Sequence, residues 1–484
     1  MSHVAMNRRS LLQSAGAASV ATFVPSGAPA QKRAQNKAQV VVIGAGISGL
    51  ETALILQEQG VDVQVIEGRD RAGGRILSLS DIPGAPEAGA NTFGGGYARV
   101  LDASDRYGAA YKPNRQSYLR GLEIVVDDKI VTMDKWPDHP KNPLPKEHRD
   151  DTPWGYYARF MRDNMPLRQP GDWLDPKFAA FDVSFDDWML SKGATEEVVD
   201  MCCNHKWEYN NSTHDVSALV VMFEYLWGRS VFAPNGVRSS FIFEGGNQRL
   251  PEAMAGKLKR DVHYGTEAVA IRSDDDGAEV HCADGTVYRS ARVVSSIPFP
   301  VLRRLKVEPY FTGVQRKAIW SIPRQMVTQV HLVATSPFWD DDGFKPGMHI
   351  ADAPVGYVMP TFGGDDPNEL TSMMALMLGN KAERADQMDE DSVKKMVIHA
   401  IEKIRPAAKG KLEAAGYKSW FRDPFASGDW TNFGPGQVTQ FAGKMNAPHG
   451  RIHICGDATG LSGRGMEAAL ESAERVAVEI LDVI

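Results

Sequence analysis

Gly44, Gly46 and Gly49 stand in the spacing G-x-G-x-x-G, and Glu67 closes the next apolar run. Those residue types suit a dinucleotide. Glycines permit a tight turn, close approach of backbone to a pyrophosphate, and close packing of the helix that follows. The helix start offers N–H groups and a positive dipole end to phosphate. An acid at the Glu67 position accepts hydrogen bonds from ribose hydroxyls and repels a 2′-phosphate, which disfavours NADP. A stretch of the same character lies near the other end of the chain. "DATGLSGRGMEAALESA", residues 457–473, holds an acid, a glycine-rich turn and an apolar helix, an arrangement that places a ligand at a helix N-terminus.

These residues need elements to carry them. "AQVVVIGAG" reads as a strand, Ile47–Gln59 as a helix and "VDVQVIE" as a second strand, which together make a βαβ unit. Residues 150–234 read as mainly helical, with apolar residues at helical spacing in "VSFDDWMLSKGATEEVVDMCC" and "VSALVVMFEYLW". A strand-rich stretch with turns at "DDDG" and "ADG" follows. A strand pair, "QMVTQVHLVA" and "LTSMMALML", precedes the helix "EDSVKKMVIHAIEKIRP", and "RIHICGDA" is a last strand that feeds the terminal helix.

The chain has 484 residues, 43% hydrophobic and 24% charged, the balance of an ordinary globular protein. A net charge of −7 without a basic stripe excludes nucleic acid as a partner. The four cysteines, Cys202, Cys203, Cys282 and Cys455, have neither zinc-site spacing nor the pattern of a disulfide framework. The acidic patches Asp274–Asp276 and Asp340–Asp342 are expected as solvated loops, and no metal is expected. Residues 1–30 read as a signal peptide: Arg8 and Arg9 precede an apolar stretch, Leu11–Val24, and Ala28-Pro29-Ala30 is a small-residue cleavage pattern. The arginine pair indicates the twin-arginine route and a periplasmic or secreted protein. The apolar stretch is too short and too rich in small residues for a stable membrane anchor.

"EGRDRAGGRI" after the second strand resembles the second fingerprint of the large FAD-binding oxidoreductase superfamily that includes the flavin-containing amine oxidases. "EAGANTFG", "FEGGNQRLPEAMA", "TEAVAI" and "RIHICGDATGLSGRGMEAALESAERVA" resemble further motifs of that family, in the same order over residues 38–484. The resemblance implies an α/β fold: a Rossmann-like FAD-binding domain of glutathione-reductase type, and a substrate domain with a six- or seven-stranded mixed sheet and a helical cover. The FAD domain is expected from residues 38–95, 235–300 and 420–484, and the substrate domain from 96–234 and 301–419. Non-covalent FAD is the implied cofactor. By resemblance it would meet Gly44, Gly46, Ser48, Gly49, Glu67, Gly68, Arg69, Gly74, Arg75, Ala90, Asn91, Val269, Gly456, Asp457, Gly465 and Met466. Asp457 would face the ribityl or pyrophosphate region. The N–H groups near Gly465 and Met466 would face the flavin O2/N1 edge, where charge gathers on reduction.

In that family two aromatics cage an uncharged amine with its C–H aimed at flavin N5. "PFASGDWTNFGPGQVTQF" resembles the stretch that supplies the first, which places Trp430 there, with Phe433 as the alternative. The second would stand where this chain has Arg464-Gly465. Trp207 and Tyr209 are candidates for the missing wall, and a core role for each is equally in keeping with the pattern. Many members carry a lysine that assists reaction with oxygen; its place falls at about Thr328, with Lys306 as a loose substitute. Slow use of oxygen and another acceptor, a cytochrome or quinone, are therefore expected. Asn91-Thr92 stands where L-amino-acid oxidases of the family commonly keep a carboxylate-gripping arginine, although Arg99 and Arg464 are nearby alternatives. Gly428-Asp429 offers no cysteine for a covalent flavin bond.

These features imply an FAD-dependent amine oxidase or dehydrogenase: hydride passes from the C–H next to nitrogen to flavin N5, and the imine is then hydrolysed. An FAD-dependent desaturase or isomerase of an apolar substrate, or a flavin-binding protein without turnover, are the alternatives. A homodimer is compatible with the sequence.

Overall fold

Val40–Ile43 (β1) is a run of four apolar residues, all buried, the pattern of a strand covered on both faces. It runs into the helix Ile47–Glu58 (α1), which is buried on nearly every side, and the chain returns through Val63–Ile66 (β2). Two later strands, Arg292–Ser295 (β3) and Ile452–Ile454 (β4), join these in one parallel sheet of order β4-β3-β1-β2. Strands far apart in sequence thus end side by side. Ser296, just past β3, donates from its hydroxyl to the carbonyls of Ile43 (2.9 Å) and Gly44 (3.1 Å), tying the ends of β1 and β3 together. The last helix, Gly465–Leu481 (α2), follows β4, and its Ala473 carbonyl accepts from the Thr52 hydroxyl of α1 at 3.5 Å.

This computed structural model describes residues 36–114, 122–203, 211–363, 366 and 369–484. The proposed leader, residues 1–30, and two predicted substrate-site residues, Trp207 and Tyr209, lie outside them. Residues Ala38–Ile484 form a single compact unit, whose two large sheets are the parallel sheet and a seven-stranded one.

The second large sheet has seven strands in the order Leu412–Ser419, Val327–Ala334, Ser372–Leu378, Tyr357–Thr361, Gly347–Ile350, Leu122–Val126 and Lys129–Val131. Alternate residues serve opposite faces, as the two-residue period of a strand requires. Val330, Leu332 and Ala375 pack with Val393, Val397 and Ile401 of the helix Glu390–Ile404. Val327, Met374 and Leu376 pack with Trp420 on the other face. A smaller sheet joins Lys306–Glu308, Ala268–Ser273, Ala278–Cys282 and Val287–Ser290. The helical stretch resolves into Pro153–Asn164, Phe185–Ser191, Glu196–Cys203 and Ala218–Phe232. Among the described residues no helix is long and apolar enough to cross a membrane.

One expectation needs correction. Asp340–Asp342 is not merely a solvated loop. Asp342 is bonded to Arg405 at 2.5 and 3.0 Å, and the Arg405 side chain is fully buried. A guanidinium withdrawn from water needs such a partner, so this acid belongs to the packing.

Candidate active site

The carboxyl ends of β1, β2, β3 and β4 open on a cleft of about 1340 Å³, part of it continuous with solvent. Ligands of parallel α/β sheets bind at that end. The three glycines of the first turn divide their work. Gly44 has φ +106°, a conformation favouring glycine, and a Cβ there would meet Ser296 Oγ at 2.4 Å. A Cβ on Gly49 would come within 2.2 Å of the Gly44 carbonyl oxygen, so this glycine lets α1 lie against the turn. Around Gly46 nothing lies within 4 Å, and it opens on the cleft. Sequence reasoning assigned all three to the cofactor. The structure places Gly44 and Gly46 on the wall and leaves Gly49 beneath it, in the packing of helix on turn.

Both helices present unprotected N-termini here. Gly46 precedes α1 and Arg464 precedes α2, and neither side chain caps its helix. Ile47 and Ser48, and Gly465 and Met466, stand on the cleft wall. The first N–H groups of a helix lack intrahelical acceptors, so two sets of donors converge on one space.

Glu67 accepts the Ala45 N–H at 2.8 Å and the Arg69 N–H at 2.8 Å, one on each oxygen. Each carboxylate oxygen can accept again, which leaves room for a ribose hydroxyl. Arg69 is held by Asp423 at 2.6 Å. Burial pushes the Asp423 carboxyl up, but Arg69 and Lys418 bring it below the ordinary carboxylate range. Gly68 lies under Phe425, whose ring would be 2.5 Å from a Cβ. Arg75 grips both oxygens of Asp457, one at 3.1 Å, and its Nη1 donates to the Asp429 carbonyl at 2.5 Å. Arg71 bends back onto the carbonyls of Ala72, Gly74 and Ile76 and so shapes the loop.

Gly68, Arg69, Gly74, Arg75, Ala90, Val269, Gly456 and Asp457 line the cleft with the residues above. Asn91 does not. It follows Ala90 in the segment that leads to Phe93, which bridges to Phe241, and an extended segment turns successive residues to opposite sides. The wall also includes residues that sequence reasoning missed: Ser296 to Pro298, Val301, Arg304, Phe425 and Asp429. The apolar run "RVVSSIP" was a usable signal for the first of these, because a buried strand ending in Ser and Pro can join the parallel sheet beside β1.

Trp430 stands on the same wall as Gly465 and Met466. Gly465 has φ +56°, and a Cβ there would meet Trp430 Cη2 at 3.3 Å. Space that an aromatic at 465 would need is thus partly filled by the indole itself. The Arg464 guanidinium lies over the Trp430 ring, 5.1 Å from its centroid. It pairs with Glu224 of the helix Ala218–Phe232 at 2.7 Å and bonds to the Asn432 side chain. Phe433, the alternative to Trp430, is buried beside Trp173 at 6.1 Å and off the wall. Arg99 is bonded to Glu467 and Glu474, also off the wall. Thr328 is buried and donates to Asp386 at 2.7 Å. Lys306 is half-exposed on an edge strand and pairs with Glu308 at 2.6 Å. Among the described residues of the wall there is no lysine, and none of the four cysteines lies there.

A turn open at Gly46, a ribose acceptor at Glu67, an arginine at 75 and two uncapped helix starts fit FAD in charge and shape. The profile of the family described as flavin containing amine oxidoreductase matches residues 47–481.

The chain belongs to that family.

Flavin-containing amine oxidase A of the dog (Canis lupus familiaris) is 25% identical, over 92% of this chain and 85% of its own. Human (Homo sapiens) flavin-containing amine oxidase B is 26% identical, over 92% and 86%. Among solved structures, putrescine oxidase bound to putrescine superposes with a TM-score of 0.72 at 21% identity, covering 92% of this chain and 99% of that one. Cyclohexylamine oxidase from Brevibacterium oxydans gives 0.71 at 20% identity over the same shares. These likenesses establish the fold. With the family they make this chain an FAD-dependent amine oxidoreductase.

Proposed function

We propose that the enzyme oxidises an uncharged amine lying against Trp430, and that it passes the electrons to an acceptor other than oxygen. The observation that carries the reading is Trp430 on the cleft wall beside the open start of α2, with Arg464 over its ring. FAD held in the cleft would supply a two-electron acceptor for oxidation of the C–H next to nitrogen, and the resulting imine would be hydrolysed by water to a carbonyl compound and an amine. The protein's share is orientation and charge. The indole offers a flat apolar surface that fixes the amine's approach. Arg464 adds positive charge on that side, partly balanced by Glu224, and so disfavours an ammonium group there. An amine held in its neutral form needs no strong base to begin the reaction. Both arginines that could have gripped a substrate carboxylate, Arg99 and Arg464, are already paired with acids, which argues for amines without a carboxylate.

The acceptor reading rests on the wall's lack of a lysine among the described residues, on Thr328 being buried against Asp386, and on Lys306 being turned to Glu308. A cytochrome or quinone met after twin-arginine export would serve, and Arg8-Arg9 with the pattern at Ala28–Ala30 support that route. Replacing both arginines by lysine should retain the protein in the cytoplasm.

Anaerobic mixing of the mature protein with a panel of primary and secondary amines tests the whole reading. Bleaching of the visible flavin band by one of them is the expected result. Air should then restore the band slowly and cytochrome or quinone quickly. Retained FAD that no amine reduces would sink the amine assignment and turn attention to apolar alkenes or alcohols. Fast peroxide formation in air would sink the acceptor assignment alone.

A further inference from the structure

We propose that Asp429 takes up a proton as FAD enters the cleft, so that the enzyme binds its cofactor together with one proton and releases it more readily in alkaline solution. The inference rests on FAD occupying the cleft at the ends of the parallel strands.

Three arginines, Arg69, Arg75 and Arg304, and four carboxyls, Glu67, Glu267, Asp429 and Asp457, line that space. Arg69 is bonded in addition to Asp423, off the wall. A pyrophosphate is doubly negative, so it enters where carboxyls already outnumber guanidiniums. The two uncapped helix starts offset part of that charge, and protonation of one acid would offset more of it. Asp457 is paired with Arg75, and Glu67 accepts two backbone N–H donors. Glu267 is exposed to water. Asp429 differs from all three. Its main chain is engaged, accepting from Arg75 and donating to the Gln325 carbonyl at 3.1 Å. Its carboxyl has no hydrogen bond or ion pair among the described residues.

The charged groups around it agree. Arg75 attracts the carboxylate but is already shared with Asp457, which repels it. From the neighbouring loop, Gln325 is uncharged and Arg324 lies over the Phe421 ring at 4.5 Å. From the start of α2, Arg464 is bound to Glu224. With protein groups alone, burial lifts the Asp429 carboxyl to about 6; Arg75 lowers it and Asp457 raises it again. FAD removes the remaining water and adds negative charge, and both effects move it further up. Between the value without FAD and the value with it, the complex holds one more proton than its separated parts. Affinity then falls by up to tenfold for each unit of rising pH.

The test uses the holoenzyme. Dilute protein is equilibrated at steps from pH 5 to pH 9, and free FAD is separated by ultrafiltration and measured. The wild type should hold a constant dissociation constant below about pH 6, then weaken towards tenfold per unit. Asp429→Asn should bind FAD with a flat profile, and more tightly than the wild type at pH 8. Asp429→Ala repeats the test if the amide does not fold. A flat wild-type profile overturns the proposal without any variant. So does a variant that keeps the wild-type slope, since the proton would then lie elsewhere. An infrared comparison of holoenzyme and released protein at pH 7 provides a check independent of mutation: FAD should add a protonated-carboxyl band, and its absence would also overturn the assignment.

Discussion

Position 430 shows how one side chain can be both wall and filler. The indole lines the cleft, carries a guanidinium on its face, and occupies part of the space an aromatic at 465 would need. Trp430→Ala should therefore lower kcat/KM for the best amine by about 10–100-fold, with FAD content unchanged, because it is the substrate's orientation that is lost. Loss of FAD in that variant would move Trp430 into the cofactor site. Glu87 is a second residue whose environment decides its behaviour. Burial lifts its carboxyl from 4.5 to about 8, although Asn247 N–H and the Ser78 hydroxyl work the other way. Between those values the folded protein keeps a proton that the unfolded chain has lost. This group's contribution to stability is therefore full below 4.5, falls as the pH rises, and is gone by about 8. Glu87→Gln should narrow the difference in urea-unfolding free energy between pH 5 and pH 8 by on the order of 2–4 kcal/mol. An unchanged difference would mean that Glu87 is ionised in the folded state.

At the scale of elements, the turn from β1 into α1 shows which glycine does which of the jobs the spacing predicts. A methyl group at Gly49 strikes the Gly44 carbonyl and Ser296, so Gly49→Ala should cost about 1–3 kcal/mol of stability, read as a lower melting temperature. A methyl group at Gly46 strikes no protein atom, and Gly46 already has an ordinary φ of −71°. Gly46→Ala should keep the fold and weaken FAD binding. Equal losses of stability in the two variants would show that the division is wrong. Much of this was legible. The apolar run, the glycines and Glu67 together dictate strand, turn, helix and strand. The partnership of β1 with β3 was not, because hydrophobic periodicity marks a strand without naming its neighbour.

For the whole molecule, the charge and thiol inventory of the cleft bears on how FAD is held. All four cysteines are buried away from the wall, and Asp429 stands in the stretch where a covalent link would have needed a thiol. Acid precipitation should release all of the yellow colour into the supernatant. Flavin that stays with the pellet would contradict non-covalent binding. The seven-stranded sheet and the parallel sheet belong to one compact unit. The loop from Asp423 to Trp430 lies just beyond the strand Leu412–Ser419 of the first and lines the cleft with Phe425, Asp429 and Trp430.

From the residues alone came the dinucleotide turn, its acid, the terminal helix start and, by resemblance, the flavin family. All of these are local patterns in which neighbours in sequence are neighbours in space. Tertiary structure alone decided that Arg464 is spent on Glu224 and Trp430. It also decided that Asp429, among the described residues, stands with no donor to its carboxyl next to an arginine already shared. The physical reason is common to both. A side chain's charge, partners and free space are set by groups distant in sequence, and a linear spacing carries no record of them.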